Sequence, residues 1–163
     1  MSAARRLLIV GGIALALLGM IYGVWYAVFA EHQELDGIGK SLTASFSAAA
    51  QRDSAAAGTA LHDYQELKYS YDRHVDAHGH WIGLGMVLVV LGIGLERIGF
   101  NERWTALLAA GLVLGSFLFP LGVMLQTFTP GAAPQAVAVV GSALVIASLA
   151  GITVGFAVPR TND

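Results

Sequence analysis

Leu7 to Ala30 reads LLIVGGIALALLGMIYGVWYAVFA, 24 residues without a charge. A helix needs about 20 apolar residues to cross the hydrocarbon core of a bilayer. Trp104 to Phe128 and Ala132 to Val158 are two further runs of that kind. A fourth is shorter, because its uncharged part, Trp81 to Leu95, has only 15 residues. To span, that helix must begin near Asp76, which draws His78 and His80 into the outer rim of the hydrocarbon. The expected fold is all-α: one integral membrane domain, a four-transmembrane-helix bundle, with spans near 7-30, 76-96, 104-128 and 132-158.

Composition agrees. Of 163 residues, 56% are hydrophobic and 12% charged, with a mean hydropathy of +0.66. A soluble globule carries roughly 25% charge because its surface faces water. The same figures exclude disorder, and a net charge of -2 gives no phosphate-binding footprint, so no nucleic-acid partner is expected. Zero cysteines exclude disulfides, zinc–thiolate sites, iron–sulfur clusters and covalently attached c-type haem.

Arg5 and Arg6 precede the first run as a basic n-region, and Val28-Phe29-Ala30 has the form of a cleavage site. An apolar run of 24 exceeds the roughly 7–15 residues of a secretory h-region, so the segment is expected to stay as an anchor. Four spans put Arg5 and Arg6, Arg97 and Arg103, and Arg160 on one side. The positive-inside rule makes that side cytoplasmic, with both termini there, in a multi-pass protein of the cell (inner) membrane. Trp25, Tyr26 and Trp81 are expected at the outer interface and Trp104 at the inner one.

The outer loop, 31-73, is too short for a core of its own. Leu35, Ile38, Leu42, Phe46 and Ala49 recur at helical spacing, and Asp53 and Ser54 are natural N-caps for a second helix carrying Ala57, Leu61, Tyr64, Lys68 and Tyr71 on one stripe. Nothing breaks the chain between that stripe and the second span, so the two should be one helix. The loop's pair of helices is expected to lie over the outer end of the bundle. Within the bundle, Gly19 and Gly23, Gly111 and Gly115, and Gly151 and Gly155 form small-xxx-small pairs suited to close helix packing. Pro120 should kink the third span and free carbonyls beside Met124 and Gln126.

The most unusual stretch is Tyr71-Asp72-Arg73-His74-Val75-Asp76-Ala77-His78-Gly79-His80-Trp81. His74 and His78 share one helix face, which continues through Gly85 and Gly92 to Glu96. Missing side chains at Gly85 and Gly92 would leave a groove below the histidine pair. His80 points the other way, over Asp76, a carboxylate placed to orient it. His32 lies just outside the first span, and Met124 about one turn inside the outer end of the third. Neutral imidazole and thioether suit copper, and a His–His or His–Met pair suits haem iron. The candidate ligands are therefore His78, His74, His80, His32 and Met124, with Gly85 and Gly92 as a cofactor cradle. The competing account of each histidine is hydrogen bonding to headgroups or neighbouring acids at the interface.

Other chemistry finds no residues. There is no G-x-S-x-G, H-E-x-x-H or phosphate loop, and no charged residue lies mid-span. Glu96 and Glu102 beside Arg97 and Arg103 read as solvated ion pairs. Tyr64, Tyr69 and Tyr71 read as packing of the outer helices.

His78-Gly79-His80-Trp81-Ile82-Gly83-Leu84-Gly85-Met86 resembles a pattern in small membrane proteins related to subunit I of haem–copper oxidases, where a His-x-His pair opens a span and glycine follows. The resemblance covers one helix of four. It implies b-type haem or copper ligation by His78 or His80. No other span contains a histidine, so a complete oxidase site is not implied.

Two functions follow. One is a redox or electron-transfer membrane protein with a b-type haem or copper near the outer face. The other is a non-catalytic accessory subunit that packs against other membrane subunits or against further copies of itself.

Overall fold

Ser2, Asp53 and Asn101 each turn a side-chain oxygen onto a backbone N–H three residues ahead, and each opens a long helix. The computed structural model describes residues 1–129 and 131–159, so Arg160 lies outside the described residues. The described residues form five α-helices in order: α1 Ala3–Phe29, α2 Glu31–Ala50, α3 Ser54–Gly94, α4 Glu102–Phe128 and α5 Ala132–Ala157. A 3-10 turn, Leu95–Arg97, links α3 to α4. Four of the helices, α1, α3, α4 and α5, are long and apolar enough to cross a membrane. The protein is an all-α, four-span membrane bundle.

The buried faces repeat mostly at steps of three and four. On α1 they are Leu8, Gly12, Leu15, Gly19 and Tyr26; on α3, His74, Ala77, Trp81, Gly85, Leu88 and Gly92. On α5 they are Ala138, Gly141, Val145, Ser148, Ile152 and Gly155. A 3.5-residue period keeps one seam facing its neighbour over the whole helix. The opposite faces expose Val10, Leu17, Met20, Ile21 and Val24 on α1 and Val139, Val140, Ile146 and Val154 on α5. Apolar side chains turned outward over these lengths mark surface solvated by lipid tails.

Two antiparallel pairs build the bundle. In the first, α1 runs against α3 so closely that a Cβ on Gly12 would lie 2.5 Å from the Gly85 carbonyl oxygen, and one on Gly85 2.6 Å from that of Gly12. In the second, α4 and α5 cross with Gly115 against Gly141 and Val145. All three glycine pairs of the sequence pack within the chain: Gly19 and Gly23 on α3, Gly111 and Gly115 on α5, Gly151 and Gly155 on Leu108 and Phe100. At one end the Gly99 N–H donates to the Gly155 carbonyl at 2.9 Å, and Arg5 pairs with Glu96. Arg5, Arg6, Arg97 and Arg103 thus gather where α1 begins and α5 ends.

The outer pair of helices departs from expectation. α3 does run unbroken from Ser54 into the membrane, about 60 Å at 1.5 Å per residue. The pair does not lie over the bundle. The chain bends at Ala30, and α2 continues up α3 in the register that α1 began: Gly23 meets His78, Gly37 meets Leu67, and the Ser45 hydroxyl donates to the Ala57 carbonyl. On this side the Tyr69 hydroxyl donates to Gln126 Oε1 of the fourth helix, α4. From there Ser54 lies about 22 Å further out along α3. The tip closes where the Arg52 and Asp53 N–H groups donate to the Ala49 and Ala48 carbonyls, with Arg52 at φ 60 in the position glycine favours.

Candidate functional site

His74 is buried, 6% exposed, where α1, α2 and α3 meet. Its Nδ1 lies 2.5 Å from the Tyr22 hydroxyl oxygen, a hydrogen bond whose direction follows the imidazole tautomer. The Tyr26 ring stacks on the imidazole with centroids 4.9 Å apart, and Phe128 closes an edge at 5.8 Å. Tyr26 donates its hydroxyl to Glu34 Oε2 at 2.6 Å, and Ser70 donates to Glu34 Oε1 at 3.1 Å. These bonds tie α1 to α3, and α2 to both, across the bend at Ala30. A buried polar group must find its partners inside the protein, and this network supplies them.

The site is a joint. Sequence reading identified His74 but not Tyr22, Glu34 or Ser70, and it placed Tyr26 in the aromatic belt. The period could have found both tyrosines, because Gly19, Tyr22 and Tyr26 continue the three-and-four steps of the buried face of α1. Trp81 also departs from the expected belt. It is 3% exposed, meets Tyr22 edge-on at 5.6 Å, and donates its indole N–H to the Phe117 carbonyl at 3.3 Å. Pro120 carries no N–H for the Ser116 carbonyl four residues earlier. The backbone it disturbs therefore lies toward Ser116 and Phe117, not beside Met124 and Gln126 as expected.

The other candidate ligands do not converge. His78 is half-buried against Gly23, and its Nδ1–H donates to the His74 carbonyl at 3.1 Å. His80 is exposed on another face, its Nδ1–H donates to the Asp76 carbonyl at 2.6 Å, and its ring meets Phe119 edge-on. The oxygen that orients His80 is thus Asp76's backbone carbonyl, where a carboxylate was expected. His32 turns its side chain outward, 88% exposed, 3.8 Å from Asp36. Met124 packs against the apolar core. Among the described residues no three or more His, Asp or Glu side chains gather to hold a metal ion.

Gly85 and Gly92 form no open groove, because α1 fills it. A Cβ on Gly85 would meet Gly12 and Ala16, and one on Gly92 would meet Ile9 and Leu8. That face offers a macrocycle no cradle. Glu96, at its far end, pairs with Arg5. On the polar part of α3 that precedes its apolar stretch, Asp72 accepts from Lys68 Nζ at 2.5 and 2.6 Å and raises the lysine above its ordinary range, chiefly through that hydrogen bond. Comparison with protein-family models, curated proteins and solved structures returned no match.

Proposed function

We propose that this chain is a non-catalytic subunit of a membrane assembly, with four spans holding a helical hairpin rigidly outside the bilayer. The supporting observation is the single register of α1 and α2 along α3, locked at the bend by Tyr22, His74, Tyr26, Glu34 and Ser70. Such a joint fixes the direction of the hairpin, which matters for a surface that must meet another component. The hairpin also leaves Leu35, Phe46 and Leu61 exposed, Phe46 by 69%. The arginines at the opposite end favour the cytoplasm for both termini, and the cell membrane as the location.

The test is native electrophoresis of solubilised membranes with a photo-crosslinking residue at Phe46. The reading expects migration well above 17.1 kDa and adducts between Phe46 and a second polypeptide. A lone chain without adducts overturns it.

A second reading, copper or haem iron held at the rim, draws on His78. A ligating histidine commonly donates one ring N–H to a carbonyl and ligates through the other nitrogen. His78 is held that way through Nδ1, with Nε2 left for a ligand. An optical spectrum of the same preparation, oxidised and reduced, decides this: a reduced Soret band or near-stoichiometric copper supports it, and a colourless, copper-free sample removes it.

A further inference from the structure

Arg73 carries a charge that no carboxylate among the described residues pairs with. Its Nε is buried and has no hydrogen-bond partner among those residues. The guanidinium lies over the Tyr69 ring, 4.9 Å from its centroid. A helical side chain leans toward the N-terminus of its helix, which on α3 carries the guanidinium outward, away from Asp76 and up to Tyr69. Burying a donor without a partner costs free energy, so a site of this kind suits an acceptor that the chain itself does not supply.

Register with α1 sets the depth of this arginine. Gly23 lies on His78 and Gly19 on Ile82, so Arg73 is level with Val28 and Phe29, the last outward-facing apolar side chains of α1, each 66% exposed. α4 ends at the same level, where Phe128 meets His74. Arg73 therefore sits where the apolar surface stops. Beyond the hydrocarbon, the polar headgroup layer adds roughly 5–8 Å on each side of a bilayer. On the stripe of α3 that carries Arg73, Tyr69 lies about 6 Å further out and Glu66 about 10 Å, the first inside that layer and the second at its edge. Between this stripe and the last turn of α4 runs a groove of about 370 Å³, lined in part by Glu66, Tyr69, Gln126 and Thr127. The Tyr69–Gln126 hydrogen bond ties its two walls, and Glu66 stands at its outer end, 3.7 Å from His62.

We propose that this groove binds the headgroup of an ethanolamine phospholipid, with its phosphate on the Arg73 guanidinium and its ammonium on the Glu66 carboxylate. The order of charges chooses this ligand. The cation stands at the hydrocarbon boundary and the anion further out, and in such a lipid the phosphate is likewise the deeper group and the ammonium the outer one. A guanidinium meets phosphate oxygens through paired, charge-assisted hydrogen bonds, which gives the buried side chain the acceptor it lacks. A primary ammonium also donates hydrogen bonds to Glu66 and to the hydroxyl and amide oxygens of Thr127 and Gln126. A choline headgroup has no N–H to donate, and a glycerol headgroup brings no cation to Glu66. The site is thus selective at both ends.

The test is native mass spectrometry of the purified full chain, released from nanodiscs holding equal parts of phosphatidylethanolamine, phosphatidylcholine and phosphatidylglycerol. The site expects one retained phosphatidylethanolamine, favoured at least about tenfold over either competitor. Arg73→Gln should lower that retention about tenfold, whereas Arg52→Gln, at the hairpin tip, should leave it unchanged. Glu66→Gln, at an exposed position outside the bundle, should keep a bound lipid but abolish the preference for ethanolamine over choline, a readout that stands even where Arg73→Gln fails to fold. Soluble glycerophosphoethanolamine, the same headgroup without tails, should not displace the lipid at equal concentration. Equal retention of the three lipids, a preference for phosphatidylglycerol, or an ethanolamine preference that survives Glu66→Gln overturns the site. Displacement by the tailless headgroup as readily as by the lipid overturns the membrane as the source of the ligand.

Discussion

Replacing Gly85 by alanine adds one methyl group at the tightest point between α1 and α3. Its Cβ would stand 2.6 Å from the Gly12 oxygen, 2.8 Å from the Ala16 nitrogen and 3.1 Å from the Ala16 Cβ, against an ordinary contact of 3.4–4 Å. Two of the three obstacles are backbone atoms, so no rotamer change relieves them. The helices must part by roughly 1 Å, which forfeits a quarter to a half of each dispersion contact along the seam. Overpacking of this kind costs about 1–3 kcal/mol, and the better helix propensity of alanine returns at most about 1. The net expectation is a loss of about 1–2 kcal/mol. Gly58→Ala is the matched control, because nothing lies within 4 Å of its added Cβ, and it should gain up to about 1 kcal/mol. Unfolding of both variants in bicelles, followed by tryptophan fluorescence, should move them in opposite directions. A Gly85→Ala protein as stable as wild type would refute the close seam.

Tyr22→Phe removes the partner of a buried imidazole and should cost about 1–3 kcal/mol, while Tyr71→Phe, whose ring only neighbours Tyr26, should cost less; chemical unfolding of the pair checks this. Ser116 is fully buried and its hydroxyl has no partner among the described residues, so Ser116→Ala should keep or raise the melting temperature. Lys68 titrates above its ordinary value in the folded protein, so its pairing with Asp72 stabilises the hairpin fully below the unfolded value near 10.5 and less as pH rises through the folded one. The Lys68 resonance followed from pH 9 to 12 should show the raised midpoint, and Asp72→Asn should remove it.

The spans were legible because each is a long uncharged run, and lipid leaves the backbone no alternative to a helix. Bounds read at 7-30, 104-128 and 132-158 became Ala3–Phe29, Glu102–Phe128 and Ala132–Ala157. The second span was read from hydropathy, and its continuation outward as one helix from the absence of any breaker between Ser54 and Asp76, as the unbroken α3 shows. The upright hairpin depends on register between α2 and α3, set by Gly37 against Leu67, and no local pattern reveals a register. The groove below His74 was misjudged for the same reason. Glycines on a helix face look empty until the opposing helix is known, and here Gly12 and Ala16 of α1 occupy the space. His74 stood out by residue type, whereas its partners Tyr22 and Glu34 are separated from it by 52 and 40 positions and carry no motif.

The continuity of α3 is the central claim, and a distance along it tests that claim most directly. Spin labels at Ser54→Cys and Ile93→Cys, both at exposed positions, can be introduced without competing cysteines and measured by pulsed dipolar spectroscopy in nanodiscs. An unbroken helix upright from the bundle predicts a single narrow distance near 58 Å. A distance of about 40 Å or less would mean that the chain folds over at the membrane surface, contradicting the rigid hairpin and the joint that holds it.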